Sequence, residues 1–140
     1  MVTEQLVELT EQNAEVSFDL KKGETILIGR SPDRKSPNQI LVPDINVSNK
    51  HIELMAHPEG VVAKDQKSTN GTAVDGEWLR PGIPFALRNG SIILLGKNGT
   101  AFLKVLIEAR EDQTQSVRVI RTSPKVETEV ESEGSTSAVA

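Results

Sequence analysis

The chain has 140 residues, 36% hydrophobic and 26% charged, a size and balance that suit one soluble domain with a single core. It contains no cysteine and only two histidines, which excludes a disulfide framework, a Cys-based zinc site and a Cys nucleophile, and leaves a multi-histidine metal site without ligands. The net charge of −4 lacks the basic footprint of a general nucleic-acid binder, and no apolar run approaches the ~20 residues of a membrane helix.

In chain order, the first ten residues carry Glu4 and Glu8 and no basic n-region, so no secretory signal is expected and the compartment is read as intracellular. Residues 1–14 are an N-terminal strand or extension. LVEL (6–9) is rich in β-formers, although LVELTEQNAEV is also the best helical candidate in the chain. VSFDL (16–20) alternates apolar and polar residues, as a half-buried strand does. TILIG (25–29), QILV (39–42), HIELM (51–55) and GVVAK (60–64) follow, then SIILLG (91–96) and AFLKVLIE (101–108). Clusters of Gly, Pro, Asn and Asp separate nearly all of them, among them KKGE, VPDIN, HPEG, STNGT, RPGIP and RNGS. Short strands punctuated this closely predict an all-β sandwich or barrel. From residue 109 onward there are no aromatic residues, and Glu, Ser, Thr and Val dominate. Such a segment buries too little apolar surface to offset its ordering entropy, so 109–140 is expected to be a disordered, acidic, Ser/Thr-rich tail.

Three loops hold polar residues that a bare scaffold would not need. They are Ile28-Gly29-Arg30 at a strand end, Val47-Ser48-Asn49-Lys50-His51 before the next strand, and Lys67-Ser68-Thr69-Asn70-Gly71-Thr72 after GVVAK. Singly, each has a plain structural reading. An Arg at a strand end is a solvated charge, Asn-Gly is a hairpin turn, a Ser hydroxyl starts a turn, and a His leading an apolar strand is a satisfied core residue. Together they supply a guanidinium, hydroxyls, side-chain amides and backbone N–H groups on loops. Such a donor set matches a phosphate dianion.

GR (29–30), SNKH (48–51) and STNGT (68–72), in this order among β-strands, resemble the signature of the forkhead-associated (FHA) domain. The likeness spans residues 15–108, including the rhythm of VDGEWLRPGIPFALRNGSIILLG. It implies a β-sandwich of two twisted sheets, about eleven short strands in all, with recognition loops at one end. It also implies a phosphothreonine-dependent interaction module with no catalysis, no cofactor and no metal. By the same resemblance Arg30 and Ser48 donate to the phosphate, Asn49 adds a contact, Thr69 completes the cradle, and Asn70 bonds the peptide main chain. Gly29, His51 and Gly71 are then architectural, with His51 tying the loops together, and Lys50 adds positive potential.

The SNKH string further resembles the N-terminal phosphopeptide module of fungal checkpoint or meiotic Ser/Thr kinases, which implies checkpoint or meiotic signalling and a nuclear location. Modules of that kind that prefer an acidic residue three after the phosphothreonine have a basic residue two before the recognition serine. Here that residue is the neutral Asn46, so an acidic preference is not expected. The polar SPDRKSPNQ segment after Arg30 is expected to widen the binding rim. In the tail, Thr114-Gln115 and Ser123-Pro124 are kinase-type dipeptides, and phosphorylated Thr114 bound in trans would allow self-association. Two other readings compete: a phosphate-independent scaffold or dimerisation domain of the same fold, and a hydrolase using Ser48, His51 and Asp44. The latter lacks the G-x-S-x-G elbow.

Overall fold

The computed structural model describes residues 5–10, 14–31, 38–96 and 101–122. Among these residues every regular element is a strand, twelve in number: β1 (Gln5–Glu8), β2 (Glu15–Leu20), β3 (Thr25–Gly29), β4 (Asn38–Leu41), β5 (Ile52–His57), β6 (Gly60–Asp65), β7 (Thr72–Val74), β8 (Glu77–Trp78), β9 (Phe85–Ala86), β10 (Ser91–Leu95), β11 (Phe102–Ala109) and β12 (Gln115–Thr122). They form two six-stranded sheets, ordered β1-β4-β3-β5-β6-β9 and β2-β12-β11-β10-β7-β8. The all-β sandwich expected from the sequence is what the chain forms.

Period-2 patterning explains the layers. Ile52, Leu54 and Ala56 of β5 and Val61 and Ala63 of β6 point inward and are buried. From the other sheet Phe18, Leu20, Ile93, Leu95, Leu103 and Val105 close the same core. Each fully buried Leu or Ile contributes roughly 1.5–3 kcal/mol relative to an exposed one. The helical alternative over 6–16 is not adopted by the described residues of that span, 6–10 and 14–16. Residues 5–8 pair in parallel with β4, Leu9 N–H donates to Leu41 O, and the Arg121 guanidinium donates to Leu9 O at 2.9 Å.

The expected disordered tail needs a correction over residues 109–122. Ala109 ends β11, and residues 115–122 form β12, which lies between β2 and β11 and pairs with both. Val117 and Val119 are fully buried there, while Arg118 faces out to meet Glu15 at 3.2 Å. The alternation Gln115-Ser116-Val117-Arg118-Val119 is a strand signal that the polar average of the whole segment conceals. Thr114 therefore sits in the β11–β12 turn, only 8% exposed, with its carbonyl accepting from Arg110 N–H. A kinase or a second copy would have to open this turn to reach it, so the exposed-tail premise for self-association through Thr114 fails. Ser123 and the rest of the expected tail, 123–140, lie outside the described residues, as does 32–37 of the segment after Arg30.

Candidate functional site

Strand register brings the three loops together. Ile28 of β3 pairs with Ile52 of β5, and Ile52 pairs with Asp65 of β6. The end of β3, the start of β5 and the end of β6 therefore lie side by side at one end of the sandwich. The loops leaving them are 29–31, 46–51 and 66–71.

Gly29 makes the first junction possible. A Cβ there would stand 2.0 Å from Asn49 O and 2.9 Å from Ser48 O. Only a residue without a side chain lets the 48–49 backbone cross the strand end so closely. Arg30 N–H then donates to Ser48 O at 2.9 Å, and Ser31 N–H donates to Asn49 O at 3.3 Å. The Arg30 side chain is left exposed beside this crossing.

The second junction joins Ser48 to the third loop. Thr69 N–H donates to Ser48 Oγ at 2.9 Å. A hydroxyl that accepts in this way keeps its own hydrogen for another acceptor. Asn70 Nδ2 donates to Asn46 O at 3.1 Å, so this amide ties two loops and retains its oxygen as an acceptor. Thr69, Asn49 and Lys50 are exposed at the same end.

His51 lies beneath, fully buried. Ser48 N–H donates to its Nδ1 at 3.0 Å, and Nε2 lies 2.8 Å from Gly71 O. An acceptor at Nδ1 requires the proton on Nε2, which then donates to Gly71 O. Desolvation by burial pushes the His51 pKa below its ordinary value, against the opposing Gly71 carbonyl and the nearby Asp65 charge. Both ring nitrogens are thus committed to backbone groups. Ser48 Oγ is bonded to Thr69, and Asp44 Oδ1 accepts from Asn46 N–H at 2.8 Å. The hydrolase alternative fails on this geometry, because neither Ser48 Oγ nor Asp44 bonds to the imidazole.

Two residues of the framework were not anticipated. Asp65, buried, accepts from Ser68 N–H at 3.0 Å, Ser68 Oγ at 2.6 Å and Thr72 Oγ1 at 2.5 Å. It shapes the third loop, in which Gly71 adopts a left-handed φ of 84° and Gly71 N–H donates to Ser68 Oγ. Its spacing three before Ser68 was the available signal. Gly96, just after β10, donates its N–H to Gly71 O, and a Cβ there would stand 2.7 Å from Asn46 O. The second sheet is thereby clamped to the loops of the first.

The FHA domain family model matches residues 26–96, from β3 to the end of β10, and the chain belongs to that family. FHA domains are interaction modules rather than enzymes. The chain is similar to the FHA domain-containing protein At4g14490 of Arabidopsis thaliana, 29% identical over 92 residues, covering 66% of this chain and 23% of that protein. It is 34% identical over 102 residues to a Dictyostelium discoideum protein named "Probable serine/threonine-protein kinase fhkA", covering 66% of this chain and 16% of that one. The chain thus spans less than a quarter of either relative. Its fold matches the crystal structure of the FHA domain of the CT664 protein from Chlamydia trachomatis with a TM-score of 0.51 at 20% identity, over 79% of this chain and 89% of that one.

Proposed function

We propose that this FHA domain recognises phosphothreonine in a partner protein, with Arg30, Ser48, Asn49, Thr69 and Asn70 as the contact residues. The observation that carries the reading is the double tie at Ser48. Its carbonyl anchors the Arg30 backbone and its Oγ anchors the Thr69 backbone. A guanidinium, a hydroxyl hydrogen and a further threonine hydroxyl are thereby brought to one end of the fold. Charge-assisted bonds from Arg30 to phosphate oxygens are worth roughly 1.5–3 kcal/mol each. Asn70 donates its Nδ2 to Asn46 O, and in this reading its carboxamide oxygen accepts a main-chain N–H of the peptide. A preference for phosphothreonine over phosphoserine rests on the threonine methyl, worth ~1 kcal/mol by area and more where it also fixes the rotamer.

A fluorescence-polarisation titration with matched phosphothreonine, phosphoserine and unmodified peptides tests this. Binding confined to phosphothreonine is expected, and Arg30→Ala should weaken it by roughly tenfold to hundredfold. Asn49→Ala should cost less. Unchanged affinity in Arg30→Ala defeats the phosphate grip, and equal treatment of all three peptides favours a phosphate-independent scaffold. The setting we propose, checkpoint or meiotic signalling in the nucleus, is supported by the SNKH string. Imaging of the tagged protein before and after DNA damage checks it, and an exclusively non-nuclear distribution would discard it.

A further inference from the structure

Three large apolar side chains stand well out in solvent among the described residues: Ile45 at 83% exposure, Ile83 at 56% and Trp78 at 50%. Isolated surface hydrophobics are ordinary. These three, however, all adjoin the bonding network of the recognition loops. Ile45 precedes Asn46, whose carbonyl accepts from Asn70. Ring atoms of Trp78 lie 3.3 and 3.5 Å from the position of a Cβ on Gly71. Ile83 follows Gly82, whose N–H donates to the carbonyl of Asp65, the residue that shapes the third loop.

The opposite end of the sandwich has a different character. Its turns expose Lys21, Lys22, Glu24, Glu59 and Glu111 and no large apolar residue. The backbone that carries the apolar side chains near the loops is also held in place. Asn46 N–H bonds Asp44 Oδ1 and Val47 N–H bonds Asp44 O, closing the turn that projects Ile45. Ile83 N–H bonds Arg80 O, and Trp78 pairs with Ala73. A backbone that is already fixed adds no loop-ordering cost on binding. The charge in the Ile45 turn is the acidic Asp44, which disfavours an acidic neighbour.

We propose that Ile45, Trp78 and Ile83 form an apolar rim around the phosphate loops, which selects phosphothreonine peptides whose flanking side chains are aliphatic or aromatic. The inference rests on the phosphothreonine reading given above. Peptide side chains beside the phosphate cover the rim and remove it from water, while the loops hold the phosphate.

The test uses three synthetic phosphothreonine peptides with apolar (Leu, Ile, Phe), neutral polar (Ser, Gly) or acidic flanks. The apolar-flanked peptide should bind about tenfold more tightly than the serine-flanked one. Ile45→Ser should narrow that gap and leave the serine-flanked affinity unchanged, with unaltered thermal unfolding because its side chain is 83% exposed. Emission of Trp78, the chain's one tryptophan, should move to the blue on binding the apolar-flanked peptide. Equal affinities for the three peptides, or tightest binding of the acidic one, overturn the rim while leaving phosphate recognition standing. If none of the peptides binds more tightly than its unphosphorylated counterpart, the phosphate reading fails and the rim with it.

Discussion

His51 shows how a single side chain can serve recognition without touching a ligand. Its Nδ1 accepts from Ser48 N–H, and its Nε2 bonds to Gly71 O. Protonation of Nδ1 would set two N–H groups against each other, and burial already disfavours the cation. The folded-state pKa therefore lies below the ordinary 6.5. As pH falls through that value, the unfolded chain takes up a proton that the folded chain refuses. Stability associated with His51 is thus complete above 6.5 and declines below it, down to the folded-state pKa. Urea unfolding between about pH 7.5 and about pH 5.5 should show the midpoint falling with acidification, and His51→Ala should flatten that slope. A wild-type midpoint that stays level across the range would contradict the buried neutral imidazole. The motif string already implied an architectural His51. Its tautomer, and the identity of both partners, come from three segments meeting in space.

Among elements, the loop between β6 and β7 depends on a residue outside the recognised signature. Asp65 closes β6 and holds Ser68 and Thr72 through three bonds to its carboxylate. Removing a charged acceptor from buried donors costs roughly 1.5–3 kcal/mol per bond. Because the Ser68 groups are part-buried and can turn to water while Thr72 cannot, Asp65→Ala should lower stability by about 2–4 kcal/mol, less than the sum over three bonds, and weaken phosphopeptide binding as Thr69 and Asn70 lose their placement. Chemical denaturation paired with the same titration checks both. Full stability in Asp65→Ala would show that the loop holds its shape by backbone alone. STNGT was legible because its residues are polar, small and turn-forming. Asp65 was not legible in the same way, because an acidic residue at a strand end reads as a solvated charge unless its burial is known.

At the scale of the whole molecule, β12 is the element on which composition misled. It lies between β2 and β11, and without it β2 has no partner in its sheet. A chain ending at Ala109 loses the buried Val117 and Val119 and both ladders of a central strand. It should fail to fold cooperatively, giving no sigmoidal thermal transition by circular dichroism. A chain ending at Thr122 should retain the transition, since every contact described above remains within it. Cooperative unfolding of the shorter chain would show that β12 is dispensable.

Residue types at fixed positions determined much of this protein. The period of two in VSFDL, and the short β-forming runs of TILIG, GVVAK and SIILLG bounded by turn residues, marked the strands, because an alternating strand buries one face and turn residues end a run. The order of GR, SNKH and STNGT marked the three loops of the candidate site, because left-handed turns, close backbone approach and phosphate-type donors each demand particular residues. The tertiary structure decided what depends on distant partners. It placed β12 inside a sheet, since a strand of modest hydrophobicity is stable only between two neighbours. It set the register of Ile28, Ile52 and Asp65 that brings the loops to one end. It also tied Ser48 to Thr69, Asn46 to Asn70 and Asp65 to Gly82, bonds between residues far apart in the chain that no local pattern encodes.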